Sequence, residues 1–184
     1  MFVPLPFFVL GTAVCLLIAI AIWSYSSSLK INTQNWHDLV SQLHQLNRDG
    51  VTLVAREFLQ PHPDQIAIEP EKMWEMIGGY PALKDMAENA RILLSLAGYA
   101  QQWNFEEGVI VAERMRRDAL AVRRAVHRIA LRRAASLLLP RRLRVLDAFD
   151  LHEAVSSYHL MCQRLLALYQ TSHAGLYPAL AEIL

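Results

Sequence analysis

The apolar and polar positions divide the chain into an uncharged N-terminal segment and a longer region with helical periodicity. The segment 3–23, VPLPFFVLGTAVCLLIAIAIW, contains no charged side chain, and the next one in the chain is Lys30. As a helix these residues rise roughly 31 Å, which matches the hydrocarbon core of a bilayer. Trp23 and Tyr25 lie where an interfacial aromatic anchor would be. The pattern therefore predicts a single transmembrane helix within residues 1–30.

The flanks of this segment favour a retained anchor over a cleaved leader. A signal peptide would carry a basic residue before its apolar core, and none is present, although Ser24, Tyr25 and Ser26 offer a passable cleavage context. A lipoprotein would need a small residue before its cysteine, whereas Val14 precedes Cys15. Both alternatives are therefore less favoured than a retained transmembrane helix.

The charges beside the apolar segment indicate its orientation. Lys30 and Arg48 follow the segment, and no charged side chain precedes it, so the positive-inside rule places residues 31–184 in the cytoplasm. Cysteine usage agrees with a reducing compartment. Cys15 would lie in the bilayer and Cys162 would remain alone, which leaves no intrachain disulfide.

Beyond the anchor, apolar residues recur at three- and four-residue spacing, which is the period of a helix. One such face runs from Trp36 to Leu53 and includes Gly50, where either another helix approaches closely or the helix is broken. Two prolines and an aspartate predict a loop at 60–65. A short helix is then predicted from Pro70 to the Gly78–Gly79 pair.

The second half of the chain carries the longest helical patterns. One helix opens near Pro81, and Asn104 with Glu107 resembles a capping box at the start of a helix over 105–139. A last long helix is predicted after Pro140. No stretch alternates like a β-strand, so the sequence predicts an all-α protein. It consists of the transmembrane helix and, in residues 31–184, an antiparallel helical bundle of about four or five helices.

Charge is distributed very unevenly along this chain of 184 residues, although its formal net charge is only +1. Hydrophobic residues make up 54% of the sequence, which excludes a disordered protein. Residues 31–113 carry a net charge of −7, residues 114–144 carry +10, and residues 145–184 carry −3. The stretch 113–144 holds eleven arginines and no lysine. Such clustering makes the arginine-rich helix the candidate binding surface for an anionic partner.

A helical wheel separates this helix into an apolar seam and a basic half. Leu120 and Leu131 lie among the arginines, and Arg133 projects from the apolar side. The predicted core seam comprises Val111, Met115, Ala119, Val122, Val126 and Ile129. The residues predicted to bind an anionic partner are Arg116, Arg117, Arg123, Arg124, Arg128 and Arg132.

The arginine face has several interpretations. It is either a solvated face that pairs within the bundle, as in the i,i+4 pairs of Glu113 with Arg117 and Arg114 with Asp118, or a docking surface. The partner of a docking surface would be an acidic protein face or anionic lipid headgroups, since the guanidinium suits carboxylates and phosphates. Nucleic acid is less favoured, because no aromatic residue for base stacking occurs between Phe105 and Phe149.

The sequence offers no pattern typical of catalysis. His152 and His159 are seven residues apart, about 10.5 Å along a helix, which is too far to ligate one ion. His159 and Cys162 could share an ion but lack convincing partners. Neither a G-x-S-x-G elbow nor a Walker A loop is present. We therefore predict no enzyme, metal, cofactor or small-molecule substrate. Three tryptophans are assigned to the core: Trp36, Trp74 and Trp103.

Together these features predict a single-pass membrane protein that acts as an interaction or accessory subunit. Its membrane contact is the segment 3–23, and its partner surface is the arginine half of the helix 105–139. The alternative is a membrane-tethered domain that binds nucleic acid or has a regulatory role. An enzyme with an unrecognised site is a more distant third.

Overall fold

The computed structural model describes residues 35–61, 67–138 and 148–184, and of residues 136–138 it describes the backbone alone. The predicted anchor, residues 1–30, lies outside these ranges. Among the described helices, none is both long and apolar enough to cross a bilayer.

Every secondary-structure element in the described ranges is a helix, which confirms the predicted all-α class. Four helices of twelve residues or more form the bundle, and three short helices of six to eight residues complete it. In chain order the helices are α1 (Trp36–Ser41), α2 (Arg48–Leu59), α3 (Pro70–Ile77), α4 (Gly79–Ala100), α5 (Phe105–Leu138), α6 (Ala148–Ser172) and α7 (Tyr177–Ile183).

The contacts between α5 and α6 show that these two helices run antiparallel. Near the end of α6, Thr171 Oγ1 donates to Glu107 Oε2 in the first turn of α5, at 3.4 Å. At the other end, Asp150 in the first turn of α6 binds Arg128, late in α5. The predicted antiparallel arrangement is therefore confirmed for this pair, and its register is fixed by polar contacts.

The helix α4 also runs antiparallel to α5. Gln101, just after α4, donates through Nε2 to the carbonyl oxygen of Gly108 near the start of α5, at 3.5 Å. At the opposite end, the guanidinium of Arg133 lies over the ring of Tyr80, 5.2 Å from its centroid. Because α5 packs between α4 and α6, it buries two adjacent flanks rather than one narrow stripe.

This double packing shifts the core seam of α5 from the predicted one. Met115, Ala119, Val122 and Ile129 are buried as predicted. Val111 and Val126 are only half-buried, whereas the unpredicted Gly108 and Ala125 are buried. The seam is therefore rotated toward Ala125, and Val126 lies at its edge.

The apolar face predicted to run from Trp36 to Leu53 is interrupted between α1 and α2. The buried Asn89 of α4 holds the intervening loop, because His44 N donates to its Oδ1 at 2.9 Å and its Nδ2 donates to His44 O at 2.8 Å. Asn47 then caps α2 by accepting from Gly50 N at 3.2 Å. As a result Leu53 turns outward and is 47% exposed.

Two glycines have roles that the sequence suggested, one as a point of close helix contact and one as a helix end. A Cβ on Gly50 would lie 2.1 Å from the carbonyl oxygen of Met76, so the end of α3 rests directly on the backbone of α2. Gly78 ends α3 in the left-handed region at φ 90°, as predicted from its position after the apolar pattern.

The tryptophans do not all fill the core. Trp36 is buried, and its Nε1 donates to Tyr169 Oη at 3.1 Å. Trp74 is half-buried. The prediction for Trp103 was wrong: it is 42% exposed and lies against the ring of His173, with the centroids 4.6 Å apart.

Candidate docking surface

The arginine helix begins at the predicted cap. Glu107 N donates to Asn104 Oδ1 at 3.3 Å, and Asn104 Nδ2 donates to Glu107 Oε2 at 2.9 Å. The first bond satisfies one of the free N–H groups of the opening turn, and the second holds both side chains in place. This cap fixes where α5 starts.

Two of the six predicted docking arginines bind inside the bundle. Arg128 Nε lies 2.6 Å from Asp150 Oδ1, and Arg132 Nη1 lies 2.7 Å from Asp150 Oδ2. Arg128 also pairs with Glu153. The hydrogen bond to Asp150 raises the pKa of the Arg128 guanidinium above its usual value. Since the Asp150 side chain is only 3% exposed, these arginines serve the packing of α5 on α6.

A further ion pair between α5 and α6, made by Asp118, was not predicted either. Asp118 was expected to pair with Arg114 on its own helix, but it pairs with Arg164 of α6. Burial lowers the pKa of Arg164 below its usual value, and the nearby positive charge of Arg114 lowers it further. Asp118 therefore belongs to the helix interface and not to the exposed face.

Two other predicted arginines make weak local pairs. Arg116 Nη1 lies 2.9 Å from Glu113 Oε2, and Arg117 Nε lies 3.7 Å from Glu113 Oε1. The second pair was predicted from its i,i+4 spacing. The two guanidinium side chains are 67% and 79% exposed, so these ion pairs are screened by solvent and leave both arginines accessible.

The last two predicted arginines are exposed and do not use a carboxylate. Arg124 Nε donates to the carbonyl oxygen of Leu120 at 3.2 Å, within its own helix. In the described ranges of the chain, neither Arg123 nor Arg124 has an acidic side chain within salt-bridge distance. Their positive charge is thus available to a partner.

The four predicted arginines that form no ion pair with α6 surround one apolar side chain. Leu120 is 50% exposed, and its helical neighbours four and three residues before and after it are all arginines. Residues at these spacings are adjacent on a helix surface. We name this surface the Leu120 ring: Leu120, Arg116, Arg117, Arg123 and Arg124.

Two further apolar residues extend the surface along the helix. Val109 is 41% exposed and Leu131 is 57% exposed, and each is eleven residues from Leu120. Eleven residues make three turns plus about 20°, so the three side chains form a nearly straight line. The two leucines were predicted among the arginines, but Val109 was not, although the eleven-residue spacing could have revealed it.

Arg133, which the wheel placed on the apolar side, has an intramolecular role. Its guanidinium lies 5.6 Å from the ring centroid of Trp74 and 5.2 Å from that of Tyr80. A guanidinium placed over the face of an aromatic ring is attracted by that ring in a cation–π contact. They connect α5 to α3 and to the start of α4, so Arg133 is not part of the docking surface.

The histidines and the free cysteine of α6 have structural contacts. His152 Nε2 lies 3.3 Å from Glu57 Oε2 on α2, and its ring stacks on Phe58. His159 Nε2 lies 2.8 Å from Gln163 Nε2. Burial raises the pKa of the Cys162 thiol to about 12. In the described part of the chain, no three side chains of the metal-binding types converge on one point.

A small cavity of about 30 Å³ lies beside α2 and α6, and its lining includes Arg48, Tyr158, His159 and Cys162. That volume holds about one water molecule.

Comparison of the chain with protein-family models, curated proteins and solved structures found no match. The exposed face of α5 is therefore the candidate functional site.

Proposed function

We propose that this protein is a single-pass, membrane-anchored accessory subunit that docks an anionic partner protein through the Leu120 ring. The observation that carries the proposal is the division among the six arginines. Arg128 and Arg132 are used inside the bundle, whereas the other four surround a half-exposed leucine on the solvent side. Arginine is enriched in protein interfaces and among the residues that contribute most to binding energy.

The anchor and its orientation are part of this proposal and are supported by the sequence. Segment 3–23 is uncharged and long enough to span a bilayer, and the positive charges that follow it favour a cytoplasmic location for residues 31–184. We expect the full chain to stay in the membrane pellet after alkaline carbonate extraction, and a chain lacking residues 1–30 to be released. A fluorescent protein fused to the C-terminus tests the orientation, because it fluoresces only if that end is cytoplasmic. Release of the full chain, or a dark fusion, would contradict this part.

The docking function is tested by photocrosslinking in native membranes. A photoreactive amino acid placed at Leu120 should form a crosslinked protein adduct. The yield of this adduct should fall at high salt, and the adduct should be lost in the Arg123→Glu, Arg124→Glu double variant. The crosslinked peptide of the partner should be rich in carboxylates. The same photoreactive residue at Arg91, an exposed position on α4, is the matched control and should not form this adduct.

The outcomes distinguish the proposed function from its alternatives. Equal adducts from Leu120 and Arg91, or none from Leu120 at low salt, would contradict a docking role for the ring. The purified full chain could instead bind duplex DNA with a steep salt dependence and lose that binding in the double variant. This result would show that the partner is nucleic acid and not a protein.

A further inference from the structure

The apolar face of α5 is already used by the bundle, which restricts what can bind its exposed side. Met115 and Val122 are completely buried against neighbouring helices. A helix that lies in a membrane interface needs a continuous apolar face for the acyl region. Leu120 lies about 15 Å or more along α5 from Val109, Ile110 and Leu131, its nearest large exposed apolar neighbours on that helix, and Glu113 places a carboxylate near the ring. A lipid surface is therefore a poor fit.

A second copy of the chain is also a poor fit for the Leu120 ring. In a two-fold symmetric dimer the same surface meets itself, so a residue opposes the same set of residues on the other subunit. Such a contact would place the arginines of one ring against those of the other, and like charges in contact repel. The complementary surface is therefore acidic, and a two-fold dimer through the ring does not supply it.

The spacing of the arginines indicates the shape of that acidic surface. The pair Arg116 and Arg117 precedes the pair Arg123 and Arg124 by seven residues, which is about 10.5 Å along the helix. Carboxylates seven residues apart on another helix have the same separation. The planar guanidinium can then bind each carboxylate through two hydrogen bonds.

From these three arguments we propose that the partner segment is an acidic α-helix that lies along α5. It places an apolar residue against Leu120 and carboxylates beside the two arginine pairs on either side. Further apolar residues of the same helix, eleven positions away, contact Val109 and Leu131. This inference rests on the proposed function and specifies the partner's chemistry and secondary structure.

A designed peptide tests the inference on the full chain in neutral detergent micelles. The probe is an alanine-based helix with leucine at every eleventh position and glutamates three and four residues to either side of the central leucine. Its control has the same composition and helicity, but its leucines lie on the face opposite the glutamates. We expect the probe to bind at least about tenfold more tightly than the control, because only the probe can contact Leu120 and the arginines together.

Variants of the ring test whether the peptide binds where we infer. Leu120→Ala should weaken probe binding by about tenfold, and Arg123→Glu with Arg124→Glu should abolish it. A peptide with lysines in place of the glutamates that face this pair should bind the double variant and not the original protein. Arg91→Glu on α4 is the matched control and should leave binding unchanged.

Equal binding of probe and control peptides would overturn the inference, because net charge alone would then explain the affinity. It would also be overturned if neither peptide binds while vesicles containing phosphatidylserine bind in a Leu120-dependent manner. Failure of the peptides together with an acidic crosslinked partner at Leu120 would overturn the helical partner and leave the proposed function standing. Absence of both the peptide complex and the crosslink would overturn both.

Discussion

Arg128 Nε donates a hydrogen bond to Oδ1 of the buried Asp150 at 2.6 Å, which connects the later part of α5 to the first turn of α6. Three favourable interactions meet at this carboxylate. Arg128 and Arg132 each contact one of its oxygens, and the positive end of the α6 dipole lies beside it. Asp150 therefore fixes the register of the two longest helices of the described structure.

We expect Asp150→Asn to lower the free energy of unfolding by about 2 kcal/mol, because two guanidinium groups lose the charge of their shared partner. The measurement is chemical denaturation of the full chain in detergent, followed by circular dichroism. Glu113→Gln is the matched control: it removes the same charge from an exposed pair and should leave stability unchanged within about 0.5 kcal/mol. Equal effects of the two substitutions would contradict a structural role for Asp150.

The rotated seam of α5 gives a second prediction. Val122 is completely buried, so Val122→Asp should unfold the domain by burying an unpaired carboxylate. Val126 is half-buried at the edge of the seam, where a carboxylate can reach water, so Val126→Asp should leave a folded protein with a lowered melting temperature. Thermal unfolding of both variants measures the difference. If Val126→Asp is the more damaging of the two, the observed rotation of the seam is wrong.

Features set by neighbouring residues were predictable from the sequence. Pro70 and Gly78 correctly delimited α3, and Asn104 with Glu107 correctly marked the start of α5. The predicted start of the helix at residue 105 agrees with the observed start at Phe105. Caps, left-handed glycines and the conformation of proline depend on a few adjacent residues, so a single sequence contains the information they need.

Features that depend on distant contacts were not predictable. Periodicity gave Arg116 and Arg128 the same exposed face, yet only Arg128 reaches Asp150, a residue on another helix. The interruption after α1 likewise depends on Asn89, whose side chain meets the His44 backbone across 45 residues of sequence. A helical wheel places residues on a face but does not identify which neighbour packs there, so it overestimates the size of the free basic surface.

The close approach of α2 and α3 gives a third prediction, with a control in the same protein. Gly50→Ala should cost about 2 kcal/mol or more, because the new Cβ would lie 2.1 Å from Met76 O and the backbone must move. Gly98 also lies within a helix, and a Cβ there would meet no atom within 4 Å. Gly98→Ala should therefore stabilise the protein by roughly 0.5–1 kcal/mol. Urea denaturation compares the two, and a stabilising Gly50→Ala would contradict the observed contact.

The environment of His159 gives a prediction about pH. Burial lowers the pKa of His159 below its usual value, and the positive charge of Arg56 on α2 lowers it further. The unfolded chain, in which a histidine has a pKa of about 6.5, therefore binds a proton at this position more readily than the folded protein does. As pH falls below about 6.5, protonation favours the unfolded state, and the loss of stability levels off once the pH is below the folded pKa.

We expect His159→Gln to reduce this acid-dependent loss, because glutamine keeps a polar group near Gln163 but does not titrate. The measurement is the free energy of unfolding of both proteins between about pH 7.5 and pH 5, where histidines titrate. Near pH 7.5 the free energies of unfolding of the two proteins should differ by a constant amount. As the pH falls, the variant should become more stable relative to the original protein. The other histidines are present in both proteins, so the difference between the curves isolates His159. Parallel curves throughout, or a relative gain for the original protein at low pH, would show that burial and Arg56 do not disfavour the imidazolium there.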